Sequence, residues 1–326
     1  MDKKILLATV IALATAPALA QSSVTAFGLI DMSVGSTKTP GATASVLGAD
    51  SGKMTTSHFG FRGNEDLGGG LSAIFQLEGF LRADVGASGR SNTDNFWARN
   101  ALVGLASKEW GTLKVGRNTT TLFVATLSFN PFGDSFGYSP SIRHIFTSGT
   151  VTGDSGWSDS VLYTTPNFSG FTGSVFVAAG EGQGGRNVAA SGTYVSGPLA
   201  GALVYQQVKK DGGATPVDDT TVWMGNGSYD FGVVKVFGQY AQVTNDTKNV
   251  DYKIYEAGVS IPVGAAKLLA QYGQISPTSG AGRKTWTVGY DYWLSKRTDL
   301  YAVAMIDRLS NLSAGESFSV GMRHRF

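Results

Sequence analysis

The feature that most constrains this chain is a period of two. Glu316–Phe326 (ESFSVGMRHRF) puts Phe318, Val320, Met322, His324 and Phe326 on one side, and Ser317, Ser319, Gly321, Arg323 and Arg325 on the other. Thr285–Leu294 (TWTVGYDYWL) repeats the pattern: Trp286, Val288, Tyr290, Tyr292 and Leu294 oppose Thr285, Thr287, Gly289 and Asp291. Successive side chains of a strand point to opposite faces, so such runs predict strands with one apolar and one polar face. Period alone leaves open which face points outward.

The start of the chain and its charge content decide that. Met1–Ala20 (MDKKILLATVIALATAPALA) has a basic beginning, a short apolar stretch and an Ala-Leu-Ala end, which predicts an export signal cleaved before Gln21. After residue 20 no run reaches the roughly 18 apolar residues of a spanning helix. Charged residues are 15% of the chain, against about 25% in soluble domains, so a large part of the surface has little need of water. There is no Cys, so an exported chain of this kind cannot rely on disulfides. Exported, aromatic and without a spanning helix, a membrane chain has one solution, a closed β-barrel that pairs every backbone group. Its apolar faces then point to lipid and its polar faces inward.

Reading the alternation along the chain gives Val24–Val34, Met54–Asn64, Leu71–Arg82, Phe96–Ser107 and Gly111–Arg117, then Ser158–Thr165, Phe171–Ala179, Arg186–Ser196, Leu199–Lys209 and Thr220–Asp230. Val233–Val243, Val250–Pro262, Ala265–Ile275, Arg283–Leu294, Thr298–Asp307 and Gly315–Phe326 complete the series. The expectation is therefore an all-β transmembrane antiparallel barrel of about 16 strands over residues 21–326, wide enough for an aqueous channel. The connections alternate. Asn64–Gly70, Lys108–Trp110, Gly197-Pro198 and Val263-Gly264 are short, whereas Gly35–Lys53, Val85–Asn95, Lys210–Asp219 and Ser276–Gly282 are longer and polar. That is the asymmetry of periplasmic turns and outer loops.

Asn118–Trp157 breaks the pattern. It is long, has Pro131 and Pro140, and is rich in Phe, Leu and Ile that seek burial. It falls third on the outer-loop side, and we expect it to fold inward and narrow the lumen.

Parity also selects wall charges. Arg62 shares a side with His58, Gly60 and Asn64, opposite Phe59 and Phe61; a lipid-facing arginine at mid-strand would cost about 2–4 kcal/mol. Lys114 falls with Thr112 and Gly116, opposite Leu113 and Val115, while Arg117 marks the passage from strand to loop. On the loop, Asp134 is either the carboxylate facing the wall or a turn residue after Gly133. Arg143 and His144 either add positive charge there or pair with the wall.

Catalytic readings find little support. His58, His144 and His324 are scattered, no Ser-His-acid spacing stands out, and no metal-ligand cluster or cofactor motif is present. Gly180–Gly185 (GEGQGG) fits a dinucleotide fingerprint formally, but a strand rather than a helix follows it. Without Asp2, Lys3 and Lys4 the chain holds 24 basic and 23 acidic residues, and the Lys209-Lys210 and Lys296-Arg297 pairs are too small to suggest nucleic acid.

Several segments carry a family resemblance. Ser57–Glu78 (SHFGFRGNEDLGGGLSAIFQLE), Phe96–Asn118 (FWARNALVGLASKEWGTLKVGRN), Asp159–Phe171 (DSVLYTTPNFSGF), Tyr292–Tyr301 (YWLSKRTDLY) and Gly321–Phe326 (GMRHRF) resemble, in order, landmarks of Gram-negative general porins of the betaproteobacterial and neisserial branch. The resemblance implies an outer-membrane homotrimer of sixteen-stranded barrels, each passing small hydrophilic solutes and ions through an eyelet framed by its third outer loop. It also implies contact with outer-membrane lipid and lipopolysaccharide, and recognition of the terminal Phe326 strand by the insertion machinery. Arg62 and Arg99 match basic pore-facing positions. For Arg99 the resemblance is the main support, because its parity partners are Ala101, Val103 and Leu105. A third arginine usual before the Ser-Val-x-Tyr landmark is absent, and Trp157 stands near its place. The expected function is passive diffusion with moderate anion preference. The alternatives are a substrate-selective channel with a binding site at the constriction, where Trp157 and loop aromatics stack on a solute, and a structural or adhesin barrel.

Overall fold

The structure, a computed structural model, describes residues 23–182, 185–209 and 217–326. The expected export signal, 1–20, lies outside the described residues.

Eighteen strands form one antiparallel ladder that closes on itself where β1 (Ser23–Lys38) pairs with β18 (Gly315–Arg325) from Leu29↔Arg325 to Lys38↔Glu316. The wall has sixteen staves, because two of them are each built from two segments. The second stave begins as β2 (Val46–Ser51) against the outer half of β1 and resumes as β3 (His58–Gly68) against its inner half. After β4 (Leu71–Arg82), the fourth stave is the two-residue β5 (Ala87–Ser88) followed by β6 (Asn100–Ser107). Then come β7 (Gly111–Thr119), β8 (Gly156–Thr164), β9 (Phe171–Ala178), β10 (Asn187–Ser196), β11 (Leu199–Val208) and β12 (Thr220–Asp230). The circuit is completed by β13 (Lys235–Asn245), β14 (Val250–Val263), β15 (Ala266–Pro277), β16 (Arg283–Trp293) and β17 (Thr298–Leu309).

The split staves correct the sequence expectation. Met54–Ser57 is not strand. It turns into the lumen because Asp31, buried on β1, accepts from the Met54 N–H at 2.7 Å and the Thr55 N–H at 2.8 Å. Those donors would otherwise sit in the ladder. Part of the expected loop Gly35–Lys53 is instead strand β2. Phe96–Arg99 likewise precedes its strand, which starts at Asn100.

The alternation fixes which side faces what. On β18 Phe318, Val320 and Met322 are about half exposed on the outside, and Ser317, Ser319 and Arg323 are buried inside; β16 does the same with Trp286 and Val288 against Thr285 and Thr287. One end of the barrel carries tight turns, such as the two-residue link from β14 to β15 where Gly264 takes φ 59°, a conformation a glycine adopts without steric cost. The other end carries the loops.

Candidate functional site: the lumen constriction

The link between β7 and β8, residues 120–155, lies inside the barrel, two residues shorter at each end than the sequence suggested. Its first helix, α1 (Thr121–Ser128), is capped by the Thr120 hydroxyl, which accepts from the Phe123 N–H at 3.2 Å. Leu122 and Ala125 of α1 pack with Ile145 and Val151 of the loop on Val204, Val222, Met224, Ala241, Val243, Ile254 and Ile275, inward residues of β11 to β15. The other side of α1, Val124 and Ser128, is exposed to the lumen. The loop thus lies along one sector of the wall, and that sector is apolar inside because the loop covers it.

Past Asn130 the chain makes a tip, Pro131-Phe132-Gly133-Asp134, and returns through the turn α2 (Pro140–Ile142), capped by Ser139, and a π-helical turn over Arg143–Thr147. Polar anchors hold this return. Thr287 Oγ1 donates to the Tyr138 carbonyl at 2.8 Å, and the Tyr138 hydroxyl meets Ser319 Oγ. The Ser135 hydroxyl donates to the Lys53 carbonyl at 2.7 Å, so the inward turn at 52–57 and the loop tip hold each other. His144, fully buried, has Nδ1 2.7 Å from Glu256 Oε1 and Nε2 2.8 Å from Thr285 Oγ1. Arg143 donates to Asp307 at 2.9 Å, and Asp307 also binds Arg283. Of the two readings of Arg143, pairing with the wall is the one observed.

At the base of the loop, Asp154 accepts from Arg90 Nη1 at 2.7 Å and Nη2 at 2.9 Å, and is bound as well by Arg117. Burial pushes the Asp154 carboxyl up, but the hydrogen bonds and charge of Arg90 and Arg117 outweigh it and hold it below the usual carboxylate range. Arg90 belongs to the excursion that splits the fourth stave and is also held by Asp94 at 2.8 Å. Arg117 further donates to Ser158 Oγ at 3.0 Å. It is a strap at the loop base and not a free lumen cation.

Across from the tip, Arg99 binds Glu78 and has Nη2 3.7 Å from Asp134 Oδ2. A wall arginine and a loop carboxylate therefore face each other. Strand parity failed for Arg99 because Arg99 sits one residue before β6, in the inward excursion, where parity does not apply. Glu78, 1% exposed, also lies 3.5 Å from His58 Nε2. Arg62 and Lys114 border one cavity of about 270 Å³ with Gln76 and Asn64. Arg62 lies 4.9 Å over the Phe27 ring, and neither cation makes an ion pair among the described residues.

Trp157 is displaced from its expected role. It is 1% exposed, stacked on Phe176 at 4.7 Å, behind the loop in a cluster with Ala178, Ala189 and Val208. The loop residues Phe123, Phe129 and Phe132 are also buried, so no stacking surface faces the lumen from them or from Trp157.

Sequence reasoning passed over Glu78, Arg90 and Asp154, and over Lys235 and Lys267, which line a second cavity of about 470 Å³ beneath the tip with Asp134 and Arg323. Parity could have found Lys235 and Lys267, since they share the inward side of their strands with Phe237 and Gln239 and with Leu269 and Gln271. Arg90 and Asp154 lie in loops and give no periodic signal.

A closed sixteen-stave barrel, apolar outside and charged inside, with one loop laid into its lumen, defines an outer-membrane channel. The Gram-negative porin family model matches residues 7–312, and the chain belongs to that family. It is 33% identical to outer membrane porin protein 32 of Delftia acidovorans over 99% of this chain and all of that one, and 31% identical to an outer membrane porin of Bordetella pertussis over the full length of both. The anion-selective porin from Comamonas acidovorans superimposes with a TM-score of 0.82 at 28% identity, covering 94% of this chain and 100% of that one. An OmpF structure from Salmonella typhi, 15% identical, shares the fold with a TM-score of 0.73. The protein is thus an outer-membrane porin, and its family and fold are those of a channel.

Proposed function

We propose that this porin passes small anions more readily than cations, by diffusion and without chemistry, and that it works as a homotrimer. The observation that carries the anion preference is the asymmetry of pairing along the wall. The inward carboxylates of Glu78, Asp291, Asp299 and Asp307 are each tied to an arginine. Arg62 and Lys114 on one side of the lumen, and Lys235 and Lys267 on the other, make no ion pair among the described residues. Paired carboxylates project little field, whereas unpaired cations attract anions within the roughly 8 Å screening length of physiological saline. The anion-selective character of the Comamonas relative supports the same reading.

For the trimer, the outward sides of β6 and β7 present a flat aliphatic surface of Val103, Leu105, Leu113 and Val115, each exposed in one barrel alone. Crosslinking in mild detergent that yields monomer alone removes the trimer.

The decisive experiment is the zero-current potential of the purified protein in a planar bilayer across a KCl gradient. Chloride preference, lowered by Arg62→Ala with Lys114→Ala, is the expected result. Cation preference in the unmodified protein overturns the selectivity, and an absence of conductance overturns the channel.

A further inference from the structure

The three histidines differ in how their ring nitrogens are occupied. His144 is fully buried and both its nitrogens are taken, by Glu256 and Thr285. His324 lies at the turn end, with Nδ1 2.9 Å from the Thr298 hydroxyl. His58 opens β3 on the lumen side, and its Nδ1 is 2.8 Å from the Thr56 carbonyl. A carbonyl oxygen can only accept, so Nδ1 carries a proton in every state of this ring. The neutral ring therefore keeps its lone pair on Nε2.

That lone pair points at a carboxylate. Nε2 lies 3.5 Å from Glu78 Oε1, longer than a strong hydrogen bond. Arg99 already binds Oε1, and Gln76 and Asn100 each donate to Oε2 at 2.8 Å. A proton on Nε2 turns the approach of two acceptors into a charge-assisted hydrogen bond. The backbone fixes the ring in this place. Ser57, just before it, is fully buried; its hydroxyl accepts from the Asp31 N–H at 2.9 Å and its carbonyl from the Leu81 N–H at 2.8 Å.

One proton matters because the constriction holds few charges. Arg99 faces two carboxylates, Glu78 and Asp134. While His58 is neutral, carboxylates outnumber cations in this sector; once it is protonated the signs are even. The other charged groups around the ring leave that count as it is. Arg62, four residues along β3 on the same side, stays charged at every relevant pH. On β1 the partner of His58 is Leu29, and the Asp31 carboxylate beyond it is taken by the Met54 and Thr55 amides and the Tyr301 hydroxyl. Arg325 of β18, opposite Leu29, is bound to Asp299. Arg90, over the ring of Phe80 that stands opposite His58 on β4, is held by Asp94 and Asp154.

We propose that His58 is a specificity-determining residue of the constriction, whose proton makes the ion preference of this porin depend on pH. With Nε2 protonated, the ring cancels the excess carboxylate of the Glu78–Asp134 sector, and small inorganic and carboxylate anions pass more readily. With Nε2 bare, that sector keeps its negative charge and opposes them. Imidazole is the side chain whose charge changes between pH 5 and 8, so the effect falls in the range such a channel meets. The inference rests on the channel reading above and concerns the change of preference with pH, whichever ion leads at a given pH.

The test is the zero-current potential of the full protein in a planar bilayer across a KCl gradient, measured at pH 8 and at pH 5.5. The expected result is a rise of about fourfold in the chloride-to-potassium permeability ratio on acidification, the scale of one unit charge a few ångströms from the ion in water. His58→Gln should hold the ratio near the pH 8 value at both pH values, and His58→Arg near the pH 5.5 value. His324→Gln, at the turn end, should keep the full change. An unmodified protein with the same ratio at both pH values overturns the proposal, and that result needs no variant to fold. The same rise persisting in His58→Gln also overturns it, by placing the titrating group elsewhere. Cation preference at both pH values, with the rise present and lost in His58→Gln, supports the role of His58 and overturns the anion preference proposed above.

Discussion

Asp154→Asn should loosen the constriction loop without loosening the barrel. The carboxylate accepts two hydrogen bonds from Arg90 and is bound by Arg117, so the amide removes the only charge that lies between two guanidinium groups at the loop base. Breaking a buried pair from one side costs about 3–5 kcal/mol. Here the Asp154 side chain is 24% exposed and Arg90 keeps Asp94, so about 2 kcal/mol is the appropriate scale. At 1.4 kcal/mol per factor of ten, the opened loop becomes roughly 30 times more populated. The Thr120 N–H, which donates to the Ser155 carbonyl at 2.8 Å, reports that opening by amide hydrogen exchange. Its protection should fall roughly 30-fold while amides of the β16–β17 ladder keep theirs. The pH dependence has a definite sign. A carboxyl held below its ordinary range stabilises the fold above the unfolded value, near pH 4, and loses that contribution as pH falls through the folded value. The unmodified protein well below pH 4 should therefore lose protection at Thr120, relative to the intrinsic exchange rate at that pH, as Asp154→Asn does at pH 7. Unchanged Thr120 protection in Asp154→Asn, or an equal loss in the β16–β17 ladder, would refute the clamp.

Trp157→Ala should cost about 3–5 kcal/mol, seen as a lower heat-denaturation midpoint, because it empties a packed site against Phe176; any solute block measured in bilayers should stay the same. Gly321→Ala puts a methyl 2.3 Å from Cζ of Tyr301, whose hydroxyl crosses Gly321 to donate to Asp31 at 2.7 Å. Displacing that ring should cost about 1–3 kcal/mol, read by the same denaturation assay, and a neutral result would mean the ring moves freely. Arg99→Ala should shift the zero-current potential toward cations further than Arg62→Ala does. It removes a cation and also uncovers the Glu78 and Asp134 carboxylates, whereas Arg62 covers none.

Much of this protein was legible in its sequence. Alternation gave the sides of Arg62 and Lys114 and the outward faces of β16 and β18, because a strand assigns sides two residues at a time and a lipid-facing charge is costly. The loop over Asn118–Trp157 declared itself by lacking that period while keeping apolar residues that need burial. Once the backbone leaves the ladder, this logic ends. Arg99 reads as lipid-facing by parity and points inward because it lies in the excursion that splits the fourth stave, one residue before β6. The second stave breaks because Asp31 captures two amides more than twenty residues away, and no local pattern around Met54 announces it. Trp157 stands at a pore-facing place by resemblance but stacks behind the loop, since Phe176 and Val208 from other strands offer it a dry seat.

The sequence by itself therefore determined the closed barrel, its inside and its outside, and which segment enters the lumen. These follow from short-range periodicity and from the solvent on each face. Only the tertiary structure decided which lumen charges are neutralised and which remain bare. Ion pairs such as Arg143–Asp307 and Arg90–Asp154 join residues far apart in the chain, and their existence depends on where the loop comes to rest against the wall.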